Sequence, residues 1–245
     1  MLHIIVPLGG KAARFQERGF TFPKPLIEVG NRSMIEVVLE NLAPPQPCQF
    51  TFICRKEHLT QFYLGDMLRL LAPGCSIIPL EHDTAGALCS VLLAVDSMKA
   101  DDELLVANGD QFIRSSLDPF YRACRDKGTD GCILTFSATH PRWSFVRTNP
   151  AGEVTAVAEK RPISKQATAG LYYFRRSEDF LTAAEKMLVK GLTTAGQYFI
   201  APVYNELILA GKRVTTYHLP DETMYSLGTP EDLSVFCDYY LSSSK

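Results

Sequence analysis

The chain has 245 residues, 46% of them hydrophobic, and a net charge of −2. That length allows one α/β domain with a substantial core, and the near-neutral balance lacks the broad basic footprint of a protein whose main partner is nucleic acid. No apolar run approaches the ~20 residues that span a bilayer, no signal peptide is expected ahead of the first strand, and seven cysteines without C-x-x-C spacing read as reduced core thiols of a cytoplasmic protein rather than a zinc or disulfide framework.

In chain order, the apolar run at 4–6 predicts a buried strand that breaks into Gly9-Gly10-Lys11-Ala12-Ala13-Arg14. Glycines after a strand let consecutive backbone N–H groups line a concave anion site, to which Lys11 and Arg14 add charge. Pro23-Lys24-Pro25 then holds a third cation in a segment that cannot be helical. Ser33-Met34-Ile35-Glu36 has the form of a capping box, opening a helix that the prolines at 44, 45 and 47 end. A strand over 49–54, a helix over 57–71, a strand over 75–80 and a helix over 86–95 follow, the last entered through Asp83-Thr84. The fully apolar 104–107 reads as a central strand covered on both faces and leads into Asn108-Gly109-Asp110. This β-α alternation predicts a doubly wound α/β sheet, with ligands outside the carboxyl ends of its strands, where the glycine turn and Asp110 converge.

Beyond Asp110 the texture changes. A helix over 117–126 is followed by short strands over 132–138, 144–148, 154–159 and 170–175, with a reversal at Asn149-Pro150-Ala151-Gly152, which reads as an antiparallel-rich extension. Helices over 177–189 and 199–209, a strand over 213–219 and a last helix capped by Thr229 and Pro230 complete the chain, and residues 242–245 read as frayed.

Taken alone, Asn108-Gly109-Asp110 is a turn or a carboxylate suited to Mg²⁺, Thr84 or Asp83 is a helix cap, and Glu159-Lys160 is a solvated pair. The whole pattern, however, resembles the nucleotidyltransferases that activate sugar phosphates, of the glucose-1-phosphate thymidylyltransferase type. Their signature A-G-x-G-S-R-F…P-K-P-L stands here as Gly9-Gly10-Lys11-Ala12-Ala13-Arg14-Phe15…Pro23-Lys24-Pro25-Leu26. The resemblance extends to Val106-Ala107-Asn108-Gly109-Asp110, the family's metal motif, to Glu159-Lys160 of its E-K-P motif, and to Gly170-Leu171-Tyr172. It implies a Rossmann-like, GT-A-like mixed sheet forming a single domain over 1–245, with a nucleotide-binding half over 1–115 and an acceptor half over 116–245. Arg14, Lys24 and Asp110 would be catalytic. Leu8, Gly9, Gly10, Lys11, Arg14, His82, Thr84, Gly86 and Asn108 would hold the nucleotide. Lys24, Glu159, Lys160 and Gly170 would hold the acceptor, and Asp110 the Mg²⁺.

The implied reaction transfers NMP from an NTP, with a lean to CTP, onto a phosphorylated small-molecule acceptor, yielding an activated precursor for surface polysaccharide. A homo-oligomer is compatible with this, and neither nucleic acid nor membrane is expected as a partner. Two departures bear on the acceptor. Ser226 stands where the family often has a second metal-binding aspartate, leaving Mg²⁺ to Asp110 with triphosphate and water only, or to another carboxylate such as Asp221 or Glu222, and 196–200 lacks the acidic pattern of the hexose enzymes. A glycosyltransferase using an NDP-sugar and a non-catalytic nucleotide-binding regulator are the rival readings.

Overall fold

The computed structural model describes residues 1–126 and 128–243. Strand β1 (Leu2–Leu8) is followed by the short helix α1 (Ala13–Glu17), a single 3₁₀ turn at Lys24–Leu26, a small ribbon β2 (Glu28–Val29) and β3 (Arg32–Ser33), and α2 (Met34–Leu42). Next come β4 (Cys48–Arg55), α3 (Lys56–Gln61), α4 (Leu64–Leu71), β5 (Ser76–Leu80), α5 (Ala87–Leu92), β6 (Glu103–Ala107), β7 (Gln111–Ile113) and α6 (Asp118–Ala123). The second half holds β8 (Gly131–Ser137), β9 (Ser144–Thr148), β10 (Val154–Glu159), β11 (Gln166–Phe174), α7 (Ser177–Val189), α8 (Val203–Leu209), β12 (Val214–His218), β13 (Met224–Ser226) and α9 (Pro230–Ser243).

One nine-stranded mixed sheet carries the fold. Strands β5, β4, β1 and β6 lie side by side and parallel. The sheet then changes direction at β11, which runs antiparallel to β6 and carries β8, β9 and β10 beyond it. The antiparallel-rich extension is therefore continuous with the parallel half. The period-two alternation of β1 and β6 feeds both faces: Leu2, Ile4, Val6, Leu105 and Ala107 enter one apolar layer, while Ile5, Leu104 and Val106 enter the other. A third apolar cluster, around Phe15, Val37, Leu227, Leu233 and Phe236, seats α9 against α1 and α2.

Several local expectations are corrected. The helix read over 57–71 is two helices, broken at Tyr63, whose φ is 52°. The break turns Leu64 and Leu68 into the core and leaves Tyr63 exposed. The helix read from 199 begins at Val203, and the one read from 117 begins at Asp118. Helix α5 starts from Gly86 with no side-chain cap, so neither Asp83 nor Thr84 caps it. At α2 the Ser33 hydroxyl does accept from the Glu36 N–H, but the Glu36 carboxylate turns to Arg32 at 2.8 Å, leaving the capping box half-formed. Thr229 caps α9 as read, accepting from the Asp232 N–H at 3.1 Å. Of the frayed end, residues 244 and 245 lie outside the described residues, and Ser242 lies in α9.

Candidate active site

β1 and β6 are neighbours, and the sheet's connections diverge from them, so a crevice opens beyond their carboxyl ends. The glycine turn leaves one strand and Asn108-Gly109-Asp110 leaves the other. At Gly10 nothing lies within 4 Å of where a Cβ would stand, so its backbone is open to a ligand. Ala12, in the position of the family's second glycine, adopts a left-handed φ of 53°. Phe15 is buried and anchors α1, while Arg14 is exposed with no ion-pair partner among the described residues. Pro25 is buried and fixes the segment from which Lys24 Nζ reaches the Asp110 carboxylate.

Two adjoining hollows fill the crevice. The first, about 630 Å³, is lined by Leu8, Gly9, Gly10, Lys11, Thr84 and Gly86 among others. Across it Lys11 Nζ meets Asp83 Oδ2 at 2.5 Å, and Arg55 Nη1 donates to Asp83 Oδ1 at 2.9 Å and to the Gly9 carbonyl at 3.2 Å. Lys11 and then Arg55 hold the Asp83 carboxyl below the usual carboxylate range. The Thr84 hydroxyl donates to the Gly86 carbonyl at 2.9 Å, which tightens the turn instead of capping the helix. Gly86 has φ 128°, and a Cβ there would strike the backbone of Tyr198. His82 is exposed and lies outside the lining of both hollows.

The second hollow, about 490 Å³, is lined by Arg14, Glu159, Lys160 and Gly170, with Arg142 and Trp143 on its wall. Glu159 accepts from the Ser144 hydroxyl, and burial pushes its carboxyl pKa up despite that bond and Lys160 beside it. Lys160, at φ 53°, places Nζ over the Phe199 ring at 4.7 Å. Gly170, at φ 75°, leaves room for the Gln111 and Asn108 amides, and its carbonyl accepts from the Asn108 N–H at 2.9 Å. Asn108, Asp110, Ala87 and Phe199 line both hollows, so the two chambers meet at the residues that follow β6.

β7 and β13, neither of which the sequence reading assigned, pair antiparallel with Ser226 opposite Gln111. The Leu227 N–H donates to the Asp110 carbonyl at 2.8 Å, which brings Ser226 and Gly228 beside Asp110 in the second hollow. Asp221 and Glu222 are exposed and line neither hollow, so neither takes the place of the missing carboxylate. Arg142, Trp143, Gln111, Gln197 and Phe199 were missed as site residues. Only Gln111, Arg142 and Trp143 stand at or beside strand ends, and Gln197 and Phe199 lie in the connection between α7 and α8, so hydrophobic patterning is silent about all five.

The sequence model of the Nucleotidyl transferase family matches residues 4–239. A mannose-1-phosphate guanyltransferase of Neurospora crassa is 25% identical over 182 residues, covering 71% of this chain and 49% of that protein. The bifunctional protein GlmU of Lactobacillus gasseri is 21% identical over 229 residues, covering 89% of this chain and 47% of that protein. The chain thus spans about half the length of the curated relatives it matches. The crystal structure of a nucleoside-diphosphate-sugar pyrophosphorylase from Vibrio cholerae superposes with a TM-score of 0.81 at 26% identity, covering 97% of this chain and 100% of that one. The chain belongs to the nucleotidyl transferase family.

Proposed function

We propose that the chain transfers a nucleoside monophosphate from an NTP to a phosphorylated small-molecule acceptor and releases pyrophosphate. The observation that carries this reading is the meeting of two hollows at Asn108 and Asp110, one floored by the glycine turn and the other by Glu159, Lys160 and Gly170. A donor triphosphate in the first and an acceptor phosphate in the second would face each other across Asp110.

An acceptor phosphate oxygen forms the new bond to the α-phosphorus, and the bond from the α-phosphorus to the bridging oxygen of pyrophosphate breaks in line. A phosphate monoester is already a nucleophile near neutral pH, so the protein's work is positioning and charge neutralisation. Backbone N–H groups at Gly9 and Gly10, with Lys11, hold the triphosphate. Arg14 neutralises charge at the reacting phosphate, and Lys24 and Lys160 hold the two phosphate groups together against their repulsion. Glu159 orients the acceptor through its hydroxyls.

Mg²⁺ fits Asp110, since this ion is held by one or two carboxylates together with substrate phosphates and water. Asp110 faces both hollows and already engages a cation, Lys24. When bound, the ion would neutralise charge on the triphosphate. Ser226 beside it supplies a hydroxyl instead of a second carboxylate.

We extend the reading to CTP as donor and to an acceptor other than a simple hexose phosphate, on the departures at Ser226 and 196–200, with the product an activated precursor of the kind used for surface polysaccharide. The test is a matrix of NTPs against phosphorylated acceptors with Mg²⁺, read by pyrophosphate release. Release that requires both substrates supports the reading. Turnover of an NDP-sugar, or tight NTP binding without turnover across the matrix, overturns it.

A further inference from the structure

The far wall of the second hollow carries a cation that the reaction above leaves unused. Arg142 lies in the connection between β8 and β9, and its guanidinium stacks over the Trp143 ring at 4.4 Å. Trp143 is itself held edge-on against Phe136, with ring centroids 5.3 Å apart. Arg142 Nη1 donates to both carboxylate oxygens of Asp232, at 3.2 and 3.0 Å. Asp232 is fixed in the first turn of α9 by the Thr229 cap. All three side chains line the hollow.

The geometry points to Arg142 as the anchor for a second anionic group on the acceptor, a carboxylate or a phosphate remote from the attacking phosphate. This rests on the reading of the second hollow as the acceptor chamber. Three features support it. The guanidinium lies 4.4 Å from the centre of the Trp143 ring, which restrains it, and its planar donor fork suits a carboxylate or phosphate. The bonds to Asp232 use Nη1 alone, and Nε and Nη2 have no partner among the described residues. The side chain is also 43% exposed, so it is accessible from the hollow. A neutral sugar phosphate would leave that charge unanswered except by Asp232. An entering anion would instead share or replace the Asp232 contact.

Trp143 is the only tryptophan in the chain, so its emission reports directly on this wall. The experiment titrates the full chain with three compounds on one carbon scaffold: sorbitol phosphate, phosphogluconate with a carboxylate at the far end, and sorbitol bisphosphate with a second phosphate there. We expect phosphogluconate, sorbitol bisphosphate or both to bind about 10-fold more tightly than sorbitol phosphate, the size of one charge-assisted hydrogen bond at a partly exposed site. The preferred compound identifies the anion. Arg142→Gln should abolish the preference, Arg142→Lys should restore part of it, and Asp232→Asn should tighten the acidic compound. Equal binding of all three, or a preference that survives Arg142→Gln, overturns the inference while leaving the acceptor chamber standing. Failure of all three to bind overturns both.

Discussion

The Lys24 ammonium rests on the carboxylate of Asp110 across 86 residues of sequence, with both side chains partly open to the crevice. The contact joins a proline-bracketed segment to the end of a central strand and puts one positive and one negative group where the two hollows meet. Lys24 is 5.9 Å from the centre of the buried Phe15 ring, so its approach is set by packing. We expect Lys24→Gln to lower kcat by on the order of 10²- to 10³-fold, the usual cost of one preorganised charge contact. Because neither side chain is fully buried, Tm should change little. Pyrophosphate release and a melting curve on the same preparation separate the two effects; an unchanged kcat would remove Lys24 from the mechanism.

Ala12 sits where a glycine would be at ease. Its φ of 53° places a Cβ in the left-handed region, which costs roughly 1–2 kcal/mol for a non-glycine residue. Part of that gain is lost to the greater freedom of glycine in the unfolded chain, about 0.5–1 kcal/mol. Ala12→Gly should therefore raise Tm by roughly 2 °C for a chain of this size. A calorimetric Tm that falls instead would show that the Ala12 methyl, which packs against the cluster around Phe15, is worth more than the strain.

Gly86 carries a heavier constraint. An added Cβ would lie 2.6 Å from the Tyr198 backbone nitrogen, and the φ of 128° is one that side chains rarely adopt. The Tyr198 N–H donates to the Ala85 carbonyl at 2.8 Å and the Leu88 N–H donates to the Tyr198 carbonyl at 3.1 Å, so neither chain can withdraw cheaply. Gly86→Ala should cost about 1–3 kcal/mol in strain alone and lower Tm by several degrees even without nucleotide. If the loss appeared only in NTP affinity with Tm intact, the glycine would be serving ligand approach and not the Tyr198 contact.

How far the sequence could be read follows from the range of each signal. The parallel strands announced themselves because β1 and β6 send apolar residues to both faces and β4 carries Phe50, Phe52 and Cys54 on one, and the site loops lie at their ends by topology alone. Strand topology therefore suffices to bring Asp110 and the glycine turn to one edge of the sheet. The ribbon of β7 and β13 was not legible: Gln111–Ile113 and Met224–Ser226 are too short to show a period, and their pairing spans more than a hundred residues. The same holds for Arg142 and Trp143, which read as an ordinary polar turn until β9 and α9 bring them to the hollow. The break at Tyr63 was hidden because apolar residues continue at helical spacing through it, while tertiary packing of Leu64 and Leu68 decided the geometry.

His3 offers a test of the core that is independent of the reaction. It lies on the central strand β1, 3% exposed, with Nε2 2.8 Å from the Thr51 hydroxyl on β4. Burial lowers its pKa below the ordinary histidine value of 6.5, with Asp102 opposing only in part. In the unfolded chain the imidazole takes up a proton near its ordinary pKa, while the folded chain resists until lower pH. The unfolded state thus binds more protons in that window, and stability is lost as pH falls from about 6.5 toward the depressed folded value. We expect Tm to drop on acidification from pH ~7.5 to ~5.5, and His3→Gln, which keeps a hydrogen-bonding side chain but cannot titrate, to show a shallower drop over the same range. Parallel Tm–pH curves for the two proteins would mean that the buried imidazole accommodates its proton inside the sheet.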